Sequence, residues 1–420
     1  MSPLLLSTVI FIATYVLIAS ERLHRTLAAM LGAVTVLLFH LLSQEEAFHA
    51  VDFNVIFLLA GMMIIAGVLR KTGVFQWLAL RAAKLARGNP ALILVLLCLV
   101  TAILSAFLDN VTTVVLIVPL TIFLAGLLQL NPVPFLIAQV LASNIGGSAT
   151  LIGDPPNIMI GSRAGLDFVD FLVHIAPISL IILALFCLGA WFFYRRRLHV
   201  SPALREALLQ VDERELITEP RLLGIGLFVL GLTILGFLLH GALGYEAATI
   251  ALAGATLLII LARQEVKEVL REVEWASLFF FVGLFIVVEG VVKAGLIERL
   301  AQGALQLTGG DLTATSLLIL WMSAILSGIV DNIPYTATML PVVEQLGRVM
   351  PELPLWVALI LGADLGGNLT LIGASANVIV AGMAEEAGHP IRFSEFLKYG
   401  VVVTFASMVV CTLYLWFRYL

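Results

Sequence analysis

Four carboxylates punctuate the polar phrases of an otherwise apolar chain. Asp109 lies in "FLDNVTT" and Asp331 in "IVDNIPYT", each followed by amides and hydroxyls: Asn110, Thr112 and Thr113 in the first, Asn332 and Thr336 in the second. Asp154 lies in "NIGGSATLIGDPPN", with Asn144, Gly146, Gly147, Ser148, Thr150 and Asn157. Asp364 opens "DLGGNLTLIGASAN", with Gly366, Gly367, Asn368, Thr370, Ser375 and Asn377. No Lys, Arg or His occurs in these phrases, so the site they form is expected to lack a fixed positive charge. Four unpaired carboxylates in a low-dielectric setting cannot all stay ionised; they hold protons, bind metal cations or face water. That chemistry suits coupling to H+ or Na+. Two plainer roles compete with it: helix capping for Asp109 and Asp331, and close helix packing for the glycines.

The surroundings are those of a membrane protein. The chain has 420 residues, 61% of them hydrophobic and only 12% charged, against about 25% charged in an average soluble domain. A polytopic membrane protein follows. The Met1–Ser20 segment has no basic leader or clear cleavage site and reads as a first span rather than a removed signal. Cys98, Cys187 and Cys411 lie far apart in apolar runs, which implies neither a zinc site nor a disulfide framework. A net charge of −5 gives no sign of a nucleic-acid partner, and no GxxxxGK[ST] loop is present. "LGAD" ending at Asp364 resembles one motif of intramembrane aspartyl proteases, but the partner Tyr-Asp is missing, so no enzyme is expected.

The elements that carry these residues occur twice. Apolar windows long enough to span, or nearly so, fall at about 3–19, 26–42, 54–69, 174–194, 222–239, 246–262, 276–292 and 396–417. Between them lie apolar arms around each Asp-Asn tip (91–128 and 313–347) and short apolar pieces around each glycine phrase (133–162 and 354–384). Asp109 and Asp331 are 222 residues apart; Gly146 and Gly366, and Asn157 and Asn377, are 220 apart. The expected fold is therefore all-α, with repeat one at 1–194, a linker at 195–221 and repeat two at 222–420. Each repeat has five spans, one of them discontinuous, plus a hairpin. Five is odd, so the halves must be inverted, a recurrent plan of secondary transporters. With the linker and its Arg195–Arg197 run inside, 18 of 23 Lys and Arg fall on the inner side, which puts both termini outside and the linker in the cytoplasm.

Each glycine phrase reads as helix, extended loop, helix. Gly-Gly frees the backbone to turn. Pro155 and Pro156 suit the first turn of a new helix, with Asp154 as its N-cap and Ser375 in that part in the second copy. Irregular backbone at membrane depth survives only where protein buries it or where it lines a wet cavity. Loop carbonyls and hydroxyls would then meet a cation, and the new helix N-terminus an anion.

These motifs carry a family resemblance over about residues 50–400. "SNIGGSATLIGDPPN" with "FLDNVTT", repeated as "ADLGGNLTLIGASAN" with "IVDNIPYT", resembles the ion transporter superfamily, in its arsenite-permease and pink-eyed-dilution (P-protein) branch. The resemblance implies a scaffold plus a transport domain of re-entrant hairpins and broken helices, a homodimer, and an elevator mechanism in the cell membrane. It implies sodium or proton binding at the hairpin tips and broken-span loops, and a separate ATPase subunit as partner if the chain serves an arsenite pump. In the related divalent-anion:sodium symporters the tips read Ser-Asn-Thr. Asn110 and Asn332 match that Asn, but Asp109 and Asp331 stand for Ser, and Val111 and Ile333 for Thr. The departure argues against dicarboxylate binding and for a proton or tightly held cation. The expected substrate is arsenite or antimonite, a neutral hydroxide that suits a site without Arg. Sodium/proton antiport, cation-coupled anion transport and a channel are the alternatives.

Overall fold

The computed structural model describes residues 2–20 and 22–420; Met1, Glu21 and the side chain of Arg214 lie outside the described residues. In chain order the helices are α1 (Pro3–Ser20), α2 (Arg25–Leu38), α3 (Gln44–His49), α4 (Phe53–Lys71), α5 (Val74–Leu85), α6 (Pro90–Phe107), α7 (Asn110–Leu127), α8 (Val133–Gly147), α9 (Pro155–Ala164), α10 (Phe168–His174) and α11 (Ala176–Tyr194). After the linker helix α12 (Pro202–Gln210) come α13 (Pro220–Leu243), α14 (Ala247–Ala262), α15 (Val266–Val269), α16 (Trp275–Lys293), α17 (Leu296–Thr308), α18 (Leu312–Val330), α19 (Asn332–Gly347), α20 (Glu352–Gly366), α21 (Ser375–Glu386) and α22 (Phe393–Arg418). No strand occurs among the described residues. Nine of these helices are long and apolar enough to cross a membrane: α1, α4, α6, α7, α11, α13, α16, α18 and α22.

Local chemistry sets the helix ends. Asn89 caps α6 through the N–H groups of Ala91 and Leu92, with Pro90 at the first helical position. Asp52 and Asp311 cap α4 and α18 in the same way. Gly165 and Gly309 close α9 and α17 in left-handed conformations that a Cβ would strain.

Two packing groups result. In one, α2 lies along α16, α4 along α14, α1 against α2 and α16, and α13 against α14 and α4. Small residues permit the close crossings. A Cβ on Gly283 would stand 2.7 Å from the Ala29 backbone, and one on Gly61 2.7 Å from the Ala251 backbone. In the other group α6 packs on α8, α18 on α20, α7 on α21 and α9 on α19, with α11 and α22 at its flank. Both glycine phrases interrupt helices as expected: α8 stops at Gly147 and α9 starts at Pro155; α20 stops at Gly366 and α21 starts at Ser375.

Candidate functional site

The hairpin tips decide where the site sits. α6 ends at Phe107 and α7 begins at Asn110, so Asp109 is at the tip; Asp331 holds the same position between α18 and α19. Both cap the returning arm. The Asp109 carboxylate accepts from the Thr112 N–H at 2.8 Å and from the Thr112 hydroxyl, and Asp331 accepts from the Ile333 N–H at 3.0 Å. The second tip is the strained one, with φ of +97° at Asp331, a region open to glycine and costly for other residues.

The two tips meet on a single carboxylate. Asn110 Nδ2 donates to Asp154 Oδ2 at 2.7 Å, and Asn332 Nδ2 donates to the same group at 3.3 Å. Asp154 is only 1% exposed. It stands at the N-cap position of α9 but makes no capping bond, because the two amides hold its oxygens. The expected cap role is therefore corrected here. Ser375 is corrected too: Ala374 occupies the cap position of α21, and the Ser375 hydroxyl donates to Asp331 Oδ2 at 2.8 Å.

Behind Asp154 runs a buried amide network. Asn110 Nδ2 also approaches Asn144 Oδ1 at 3.4 Å, and Asn144 Nδ2 donates to Asn368 Oδ1 at 3.0 Å and Asn377 Oδ1 at 3.1 Å. Asn157 and Asn377 play one part in the two copies. Asn157 Nδ2 donates to the carbonyls of Gly147 and Thr150 at 3.2 and 3.0 Å. Asn377 Nδ2 donates to those of Gly367 and Thr370 at 2.8 and 2.9 Å. Each amide thus supplies the donor that the interrupted helix lacks. Thr150 and Thr370 bond the carbonyls of Ala106 and Gly328 on the hairpins. Asp364 is fully buried beside Asn157, yet neither carboxylate oxygen nor Asn157 Oδ1 has a hydrogen-bond partner of ordinary geometry. A carboxylate so placed requires a proton or a nearby cation.

Other expected residues stand further off. Gly146 and Gly366 are packing points: a Cβ would fall 2.2 Å from the Ala102 carbonyl oxygen in one copy and 2.7 Å from the Ala324 backbone in the other. Gly147 and Gly367 let the loops double back on Gly153 and Gly373. The Ser148 hydroxyl bonds Ser179, that of Thr112 bonds Asp109, and those of Thr113 and Thr336 are buried without a partner.

The expectation of a site without a positive charge is overturned. A cavity of about 20 Å³, room for roughly one water or a bare cation, is lined by Asp109, Asn110, Asp154, Asn332 and Ser375, and also by Arg25 and Glu274. Arg25 Nη1 bonds the Ser375 hydroxyl, and its Nη2 reaches the Ser277 hydroxyl at 3.3 Å. Its guanidinium lies 5.3 Å from the Phe280 ring centre. Arg25 starts α2, 84 residues before Asp109, and it reads in sequence as one more inner-side topology charge. Only the packing of α2 on α16 brings it to the tip of α19. A basic residue at a span end beside a short polar turn is the one signal that sequence offered.

A helical membrane fold with two hairpins meeting at interrupted helices defines a transporter. The family profile described as "CitMHS: Citrate transporter" matches residues 15–362, and the chain belongs to that family. An uncharacterized transporter of Mycobacterium tuberculosis is 48% identical over 419 residues, covering 98% of this chain and 97% of that one. The human P protein is 36% identical over 496 residues, covering 98% of this chain and 59% of that longer protein. The YdaH transporter of Alcanivorax borkumensis, solved by crystallography, shares the fold with a TM-score of 0.61 at 14% identity, covering 96% and 97% of the two chains.

Proposed function

We propose that this chain is a secondary active transporter that couples movement of a small solute to a cation gradient, with Asp154 as the coupling group. One observation carries the proposal: a buried carboxylate held by the hairpin-tip amides of both halves of the chain. Both amides donate to Asp154, so together they favour its ionised form, and a proton on Asp154 weakens the hold of both tips at once. Proton coupling is the reading preferred over sodium, because carboxylates stand where the related symporters carry hydroxyls, and a carboxylate exchanges a proton readily. Asp364, buried beside Asn157, is a second proton or sodium holder.

The α1, α2, α4, α13, α14 and α16 group serves as frame and the hairpin group as the moving body of an elevator, in a homodimer within the cell membrane. The mirrored contacts support inverted repeats. Arg25 removes the reason for preferring arsenite, and together with the family's description it favours a carboxylate anion as solute; arsenite and antimonite become the second reading.

The test is flux in proteoliposomes offered citrate, arsenite or Na+ under an imposed pH or Na+ gradient. Saturable citrate flux driven by the pH gradient without Na+ is expected, with at least a 100-fold loss in Asp154→Asn. Flux with an absolute Na+ requirement would overturn proton coupling. Unsaturable flux indifferent to both gradients would make the chain a channel.

A further inference from the structure

A cavity of about 560 Å³ lies away from the transport site, between α8, α11 and α22. Its walls are apolar: Ile137 and Leu141 from α8, Phe186 and Ala190 from α11, Val402 and Ala406 from α22. One end differs. Lys398 and Tyr399 line it there, and Arg197 stacks 3.8 Å from the centre of the lining Phe193 ring. Neither Lys398 nor Arg197 forms an ion pair among the described residues, as holds for most of the basic residues. The groove is thus an apolar slot between the candidate spans α11 and α22 and the shorter apolar helix α8, with two cations outside any ion pair and a phenol at the end nearest the 195–221 linker.

We propose that this groove is a specific site for an anionic glycerophospholipid, its acyl chain against α8 and α11 and its headgroup phosphate between Lys398 and Arg197. Apolar length supplies affinity for the chain. The charges select an anionic headgroup over a zwitterionic one, as basic pockets between spans do. A second copy of the chain fits less well, because two equivalent Lys398–Arg197 ends brought together would repel. The site also has a route to transport. The lipid would lie on the back of α8, and α8 presents Asn144 to the site; the Leu141 carbonyl accepts from Asn368 at 3.4 Å.

The full chain, purified in detergent and stripped of lipid, is titrated with phosphatidylglycerol or phosphatidylcholine, with retained lipid counted by native mass spectrometry. Wild type is expected to retain phosphatidylglycerol preferentially. Lys398→Gln and Arg197→Gln each lower that preference roughly five-fold, given about one charge interaction apiece. Gly189→Phe blocks the slot: Gly189 lines it and a Cβ there meets nothing within 4 Å, so the variant keeps its fold while losing retention of either lipid. Equal retention of the two lipids by wild type, or unchanged retention in Gly189→Phe, would overturn the proposal. So would a change of oligomeric state in Gly189→Phe with lipid binding intact, which would assign the groove to a second copy.

Discussion

At the scale of single residues, Asp154 and the tip aspartates separate into different kinds of carboxylate. Asp109 and Asp331 do what short acidic residues do at helix starts, and asparagine could do it nearly as well. Asparagine is nearly the same shape as the aspartate that already holds φ +97° at position 331, so the exchange adds no backbone strain of its own. Asp109→Asn and Asp331→Asn should therefore fold, and any loss of flux isolates the negative charge. We expect at least a ten-fold loss in Asp331→Asn, whose oxygen accepts from the serine that Arg25 binds, and a smaller loss in Asp109→Asn. Wild-type flux and pH dependence in both would confine them to capping. Arg25 offers a sharper division. A guanidinium bond to an anion contributes about 1.5–3 kcal/mol, so Arg25→Gln should raise the KM for citrate roughly 10- to 150-fold and leave arsenite flux nearly unchanged. Equal effects on both solutes would make Arg25 a structural tie. The polar residues of the site were legible because they occur as two spaced phrases. Arg25 was not, because nothing in its local sequence separates a site cation from a topology charge.

At the scale of elements, the hairpins carry the main consequence. Each arm near the tips has 18 or 19 residues in α6, α7 and α18, about 27 Å of helix, nearly a full crossing by length. Length alone leaves the tips at mid-depth or at the far face. Contact of Asn110 and Asn332 with one buried carboxylate joins the tips at a single point; in the proposed inverted arrangement, with the hairpins entering from opposite sides, that point lies inside the membrane. The glycine phrases show a division of labour that composition could not reveal. The first glycine of each pair is crossed by a hairpin arm, and the amide three residues into the next helix mends the break. Gly146→Ala and Gly366→Ala should then overpack the α6–α8 and α18–α20 crossings and destabilise by about 1–3 kcal/mol. Gly231→Ala on α13, where a Cβ meets nothing within 4 Å, should be neutral or stabilising. Thermal unfolding of the three variants in detergent checks this, and equal midpoints would mean the crossings yield freely.

At the scale of the whole molecule, one arrangement occurs twice. Ala29 against Gly283 and Ala251 against Gly61 are the same crossing with its partners exchanged, each residue 222 positions from its counterpart. The ion pairs agree with the basic-residue count. Arg70 and Lys71 with Glu272, and Arg81 and Lys84 with Glu213, join segments assigned to the inner side; Arg163 with Glu344, and Lys293 with Glu46, join segments assigned to the outer side. The proposed inverted halves require that agreement, because any span counted wrongly would set a pair on opposite faces. Orientation is then a single remaining choice, which the 18-to-5 bias of Lys and Arg makes in favour of an inner linker. Cys98, Cys187 and Cys411 are buried, so introduced cysteines can be read against a quiet background. Ser201→Cys in the linker should resist an impermeant thiol reagent in intact cells and react after permeabilisation. Glu45→Cys on α3 should react in intact cells. The reverse pattern would keep the inverted halves and turn the molecule over; labelling of both from one side would break the span count itself.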